Sequence, residues 1–129
     1  MQDKKLETQL VHAGNHPDQN QGIINPPVYH ASTVLFPTVQ ELKAGKQKVR
    51  YGRRGTPTSF ALEEAVARLE GGYACHATPS GLSAITIALL SYLSNGDHLL
   101  VTDSVYEPSR TFIDQTLSRY GISDRKSVV

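Results

Sequence analysis

From residue 57 onward the apolar positions fall into regular spacings. Leu62, Ala65, Val66 and Leu69 sit at i, i+3, i+4 and i+7, one stripe of an amphipathic helix. Thr56-Pro57 ahead of them offers an N-cap and a first-turn proline, and Gly71-Gly72 a stop. Residues 73–78 are few and suit a strand. Residues 80–93 predict a strongly apolar helix (Leu82, Ile85, Ile87, Leu89, Leu90 and Leu93), which implies burial on several sides. Asn95-Gly96-Asp97 marks a turn, and residues 98–102 read as a second strand. Residues 108–120 close with a helix on which Phe112, Ile113, Leu117 and Tyr120 share a face.

Strands alternating with helices of this length argue for parallel crossovers, so the expected class is α/β. Two strands alone do not make a covered sheet, so further strands are expected from additional sequence or another chain. Residues 57–123 are accordingly read as the beginning of a domain.

Residues 1–56 differ. They hold most of the prolines and few periodic apolar positions. Gly22-Ile23-Ile24-Asn25-Pro26-Pro27-Val28-Tyr29 reads as extended, because a residue before proline is pushed away from helix. Only residues 38–46, with Val39 and Leu42 three apart, suggest a short helix. An arm of this kind either wraps a partner subunit or stays disordered.

Composition narrows the function. The 129 residues carry 13 basic and 12 acidic side chains, a formal charge of +1, which gives no electrostatic case for nucleic acid or an anionic membrane. Apolar runs are too short to span a bilayer, and Met1-Gln2-Asp3-Lys4-Lys5 leads into polar sequence, so a cytoplasmic chain is expected. The single cysteine, Cys75, excludes an intrachain disulfide; inside an expected strand it reads as a small core residue. The five histidines lack metal-ligand spacing, so no metal is expected.

Three segments could carry chemistry. In Ala77-Thr78-Pro79-Ser80-Gly81-Leu82-Ser83-Ala84 a strand ends and an apolar helix begins, leaving free N–H groups and the positive end of the helix dipole at a glycine turn. That suits a phosphate, although taken alone an ordinary Ser80 N-cap on a core helix is the favoured reading, such caps being far commoner. Neither the Walker loop nor the dinucleotide fingerprint occurs, which weighs against ATP and NAD. Tyr51-Gly52-Arg53-Arg54-Gly55-Thr56-Pro57-Thr58 places two guanidinium groups and a phenol on a glycine-flanked loop, suited to phosphate or carboxylate, or simply a solvated basic loop. Thr102-Asp103-Ser104-Val105-Tyr106-Glu107-Pro108-Ser109-Arg110 follows a strand at the carboxyl end of the sheet. Tyr106 there could stack on a flat cofactor or serve as a partly buried anchor.

In this order and spacing the three segments resemble the Cys/Met-metabolism group of fold-type-I pyridoxal-phosphate (PLP) enzymes. The resemblance runs from about Lys5, through Leu6-Glu7-Thr8-Gln9-Leu10-Val11-His12-Ala13-Gly14, to about Gly121. Within the group, Tyr51-Gly52-Arg53-Arg54-Gly55-Thr56 and Tyr106-Glu107-Pro108 resemble the versions found in β-eliminating cystathionine lyases. The γ-acting relatives typically show a serine after the tyrosine, and Tyr-Gly-Gly at the second motif.

The resemblance implies an N-terminal extended arm followed by the start of a PLP-transferase large domain, mostly parallel sheet with covering helices. It implies pyridoxal 5'-phosphate as cofactor, with backbone N–H contacts from Gly81 and Leu82 to its phosphate. Tyr106 would stack on its ring and assist proton movement. Tyr51 and Arg53 would reach the phosphate held by a neighbouring subunit of a homo-oligomer, a dimer of dimers. The implied reaction is α,β-elimination of cystathionine to homocysteine, pyruvate and ammonia, in methionine biosynthesis. A lysine that binds the cofactor and removes the α-proton is also implied. The lysines present are Lys4, Lys5, Lys43, Lys46, Lys48 and Lys126, and none follows the Ser/Thr-rich strand that precedes it in the family. The chain is therefore expected to be an N-terminal part of the enzyme, inactive alone. Residues 124–129 match nothing in the family at that point and are expected to be a non-native tail from sequencing-adapter read-through. The competing expectations are a γ-acting relative and a non-catalytic phosphate-binding module.

Overall fold

The computed structural model describes residues 4–127, with side chains through Arg125. The chain divides into two compact units, Met1–Ala77 and Thr78–Val129. The boundary drawn from the sequence after residue 56 differs from this division. The reason is that the helix following it collects the arm.

The first unit contains α1 (Leu6–His12), α2 (Val39–Ala44) and α3 (Pro57–Leu69). Helix α1 was not expected from the apolar spacing. Helix α2 is fixed at both ends: the Glu41 N–H donates to Thr38 Oγ1 at 3.2 Å, and Gly45 takes a left-handed φ of 66°. Helix α3 starts as the sequence predicts, with Thr56 and Ser59 forming a reciprocal capping box ahead of Pro57.

The arm packs on the small and polar face of α3. A Cβ built on Gly14 would overlap the Ala61 carbonyl oxygen, and Gly14 has a φ of 75°, so only glycine permits this approach. His16 Nε2 lies 2.7 Å from Glu64 Oε2. Thr58 Oγ1 donates to the Pro27 carbonyl at 2.6 Å and accepts from the Tyr29 N–H at 2.9 Å. The apolar stripe of α3 is left open: Leu62 is 58% exposed, and no residue of the helix is buried.

Residues 73–78 form no strand, contrary to the sequence expectation. The segment has no ladder partner. Instead the Ala77 N–H donates to Glu63 Oε1 at 2.9 Å, and His76 Nδ1 lies 3.3 Å from the same oxygen.

The second unit is a parallel crossover: α4 (Gly81–Tyr92), β1 (His98–Thr102), α5 (Glu107–Gln115) and β2 (Ser123–Ser127). β1 and β2 pair in parallel from His98↔Ser123 to Thr102↔Ser127, with α5 between them in sequence. The class is α/β, as expected, but the crossover spans β1 to β2 and not residues 73–78 to β1. Residues 124–127, set apart in the sequence as a tail, lie in β2. Their backbone pairing with β1 is independent of side-chain type, which is why side-chain patterning did not reveal a strand there. The helix expected over 108–120 splits into α5 and a 3₁₀ turn at Leu117–Tyr120, closed by left-handed Gly121.

Ile113, Leu117 and Ile122 form the core, with Leu89, Leu93, Leu99, Val101 and Phe112 packed around them. Helix α4 covers this core from one side only. None of its residues is buried, whereas its sequence predicts burial on several sides. The elements that would cover its remaining faces are not among the described residues. Among the described residues no helix is long and apolar enough to cross a membrane.

Candidate functional site

The candidate residues fall into two groups, each held within its own unit. In the first unit Gly52–Arg54 form a tight 3₁₀ turn, closed by the Gly55 N–H donating to the Gly52 carbonyl at 3.1 Å. Tyr51 precedes the turn in extended conformation and is 37% exposed. Arg53 Cζ lies 5.5 Å from the centroid of the Tyr51 ring, a cation–π distance that keeps the guanidinium beside the phenol. The loop therefore presents one hydroxyl and one planar cation together. Arg54 lies in a shallow depression with Phe36, Leu42, Arg50 and Tyr51, which adds further positive charge to this side of the loop.

In the second unit Gly81 and Leu82 open α4. Ser80 is an N-cap: its Oγ accepts from the Ser83 N–H at 3.1 Å and lies 2.9 Å from Ser83 Oγ. That leaves the N–H groups of Gly81 and Leu82 in the first turn, where a helix supplies no internal acceptor. Gly81 is exposed, and beyond its chain neighbours and its own helix nothing lies within 4 Å of a Cβ built on it. A 12-residue helix adds its positive dipole end. The Ser80 cap engages the Ser83 N–H and leaves the Gly81 and Leu82 N–H groups to other acceptors.

Tyr106 is the residue before α5 and is 61% exposed. The loop that carries it is tied down by Arg110. Arg110 donates to the Thr102 carbonyl at 3.1 Å and pairs with Asp124 and Asp114.

Sequence spacing did not single out the His16–Glu64–Arg68 cluster on α3. Burial pushes the Glu64 carboxyl upward. The His16 hydrogen bond and the charges of Arg68, His16 and Lys48 outweigh it and hold the group below its ordinary value. Lys48 Nζ sits 4.9 Å from the Phe60 ring centroid, beside a cleft of about 340 Å³ that Gly14, His16 and Glu64 also line. Nothing local in the sequence joins residue 16 to residue 64. Among the described residues, no group of three or more His, Cys, Asp or Glu side chains could hold a metal ion.

The second unit thus joins a parallel α/β crossover to an open helix N-terminus and an exposed tyrosine after its first strand. The family described as Cys/Met metabolism PLP-dependent enzyme matches residues 7–127, and the chain belongs to it. Its cofactor is pyridoxal 5'-phosphate. The chain is 50% identical over 122 residues to a putative cystathionine β-lyase of Rhizobium johnstonii, covering 95% of this chain and 31% of that protein. It is 39% identical over 128 residues to cystathionine β-lyase MetC of Escherichia coli, covering 95% and 32%. Among solved structures, cystathionine γ-lyase from Lactobacillus plantarum complexed with L-serine superposes with a TM-score of 0.84 at 35% identity, over 96% of this chain and 31% of that one. The chain thus spans about a third of the length of the relatives it matches, and the fold is the start of a PLP-enzyme domain.

Proposed function

We propose that the chain is the N-terminal part of a PLP-dependent carbon–sulfur lyase that cleaves cystathionine by α,β-elimination to homocysteine, pyruvate and ammonia, a step in methionine biosynthesis. The observation that carries the β-lyase reading is the 50% identity to a putative cystathionine β-lyase across 95% of the chain. The open first turn of α4 fits the cofactor's phosphate, and the exposed Tyr106 ring fits its flat pyridine. Bound, the cofactor supplies an electron sink for the charge left when the α-proton departs.

Each residue then has a defined task. The Gly81 and Leu82 N–H groups hold phosphate oxygens against the helix dipole. Tyr106 stacks on the ring, and its hydroxyl takes part in moving a proton during elimination. Tyr51 donates its hydroxyl, and Arg53 its guanidinium, to the phosphate held by a neighbouring subunit, so the site is shared across a homo-oligomer. The α-proton itself passes to a lysine outside these residues.

Assaying the full-length polypeptide with cystathionine tests this reading: pyruvate is the expected product, and 2-oxobutyrate with little pyruvate overturns it. The likeness to a γ-lyase structure favours γ-elimination as the second reading.

A further inference from the structure

The Tyr51–Arg53 turn is braced by a segment about twenty residues earlier in the chain. The Gly52 N–H donates to the Ser32 carbonyl at 2.7 Å, and Thr33 and Tyr51 form an antiparallel bridge. A Cβ built on Gly52 would overlap the Ala31 carbonyl oxygen, so the two backbones are as close as glycine allows. The side chains continue the contact: Ser32 Oγ donates to Tyr51 Oη at 3.5 Å.

We infer that Ala31–Thr33 positions the phosphate clamp, and that Ser32 is a positioning residue for the Tyr51 hydroxyl. The inference rests on the reading of Tyr51 as a phosphate ligand. A phenol carries one proton and can accept as well as donate. A phosphate dianion accepts only. If Tyr51 gave its proton to Ser32, it would have none to offer the phosphate. With Ser32 as donor, the Tyr51 oxygen is satisfied by acceptance and its single O–H is left to point outward. The backbone bridge sets where the ring stands, and the serine sets which way its proton goes. No other described side chain is assigned that role by a hydrogen bond to Tyr51 Oη.

The full-length apoenzyme, titrated with PLP, tests this through cofactor affinity and the ³¹P resonance of the bound phosphate. Ser32→Ala is expected to weaken PLP binding about 2- to 5-fold, the effect of one long neutral hydrogen bond. Ser32→Thr, which keeps the hydroxyl, is expected to restore it. Tyr51→Phe is expected to weaken binding more, and the double variant no further than Tyr51→Phe alone. Wild-type affinity and an unmoved ³¹P resonance in Ser32→Ala overturn the brace. So does a double variant in which the two losses add, since Ser32 then acts by another route. Wild-type affinity in Tyr51→Phe overturns the phosphate reading itself, and the brace with it.

Discussion

Thr58 joins α3 to the arm through one hydroxyl that works in both directions. It donates to the Pro27 carbonyl at 2.6 Å and accepts from the Tyr29 N–H at 2.9 Å. Thr58→Val keeps the shape and removes both bonds. Each is worth about 0.5–1.5 kcal/mol net. Tyr29 is exposed and Pro27 half-buried, so water replaces the lost partners and no buried group is orphaned. The expected cost is therefore about 1–2 kcal/mol, below what two fully buried bonds would give. It should also be local, because the hydroxyl tethers the arm and is not part of the Ile113–Leu117–Ile122 core. A local opening of that size speeds amide exchange about 5- to 30-fold. Hydrogen exchange followed by NMR on the full-length polypeptide should show that acceleration at the Tyr29 amide, with β1 amides unchanged. Unaltered exchange at Tyr29 would refute the tether. Equal acceleration in β1 would refute its local character.

Two further outcomes are expected. Glu64 has a lowered carboxyl pKa in the folded arm, so its contribution is present above the unfolded value and lost as pH falls through the folded one; acid should release residues 14–16 from α3 in the native sequence, with Glu64→Gln abolishing that acid response, and an identical response in the variant would refute the assignment. The isolated 129-residue chain should bind a hydrophobic dye and melt broadly, because Leu62, Ile87, Leu90 and Leu100 are all exposed, Leu100 by 65%; a sharp thermal transition in a monomer would count against this.

Much of the fold was legible because its signals are local. Thr56-Pro57 marks the start of α3 by capping chemistry, and His98–Thr102 forms β1 at the expected residues. The failures share a physical cause. Residues 73–78 have a strand-like composition, but a strand exists only when another backbone pairs with it, and here Glu63 takes the Ala77 amide. β2 is the reverse case: Ser-Asp-Arg-Lys-Ser carries no apolar alternation, and what makes it a strand is the main-chain ladder with β1, joined by one side-chain contact from His98 to Ser123. Burial failed for the same reason. The apolar density of α4 describes the neighbours it is suited to meet, and only one of its sides meets them among the described residues.

The site divides along the same line. The surroundings of the candidates Gly81, Leu82 and Tyr106 were readable because each follows from a turn immediately beside it in sequence. What holds Tyr51 was not, because Ser32 lies 19 residues away and the link is chiefly backbone to backbone. One trace of it does lie in the sequence. Gly52 needs no left-handed conformation, so its lack of a side chain answers a steric demand and not a turn geometry. A glycine beside a candidate ligand, at a φ that any residue adopts, is a sign that another backbone passes close by. The passing segment is then a candidate for orienting the ligand, which is how Ala31–Thr33 enters the account of a clamp that composition alone reads as a solvated basic loop.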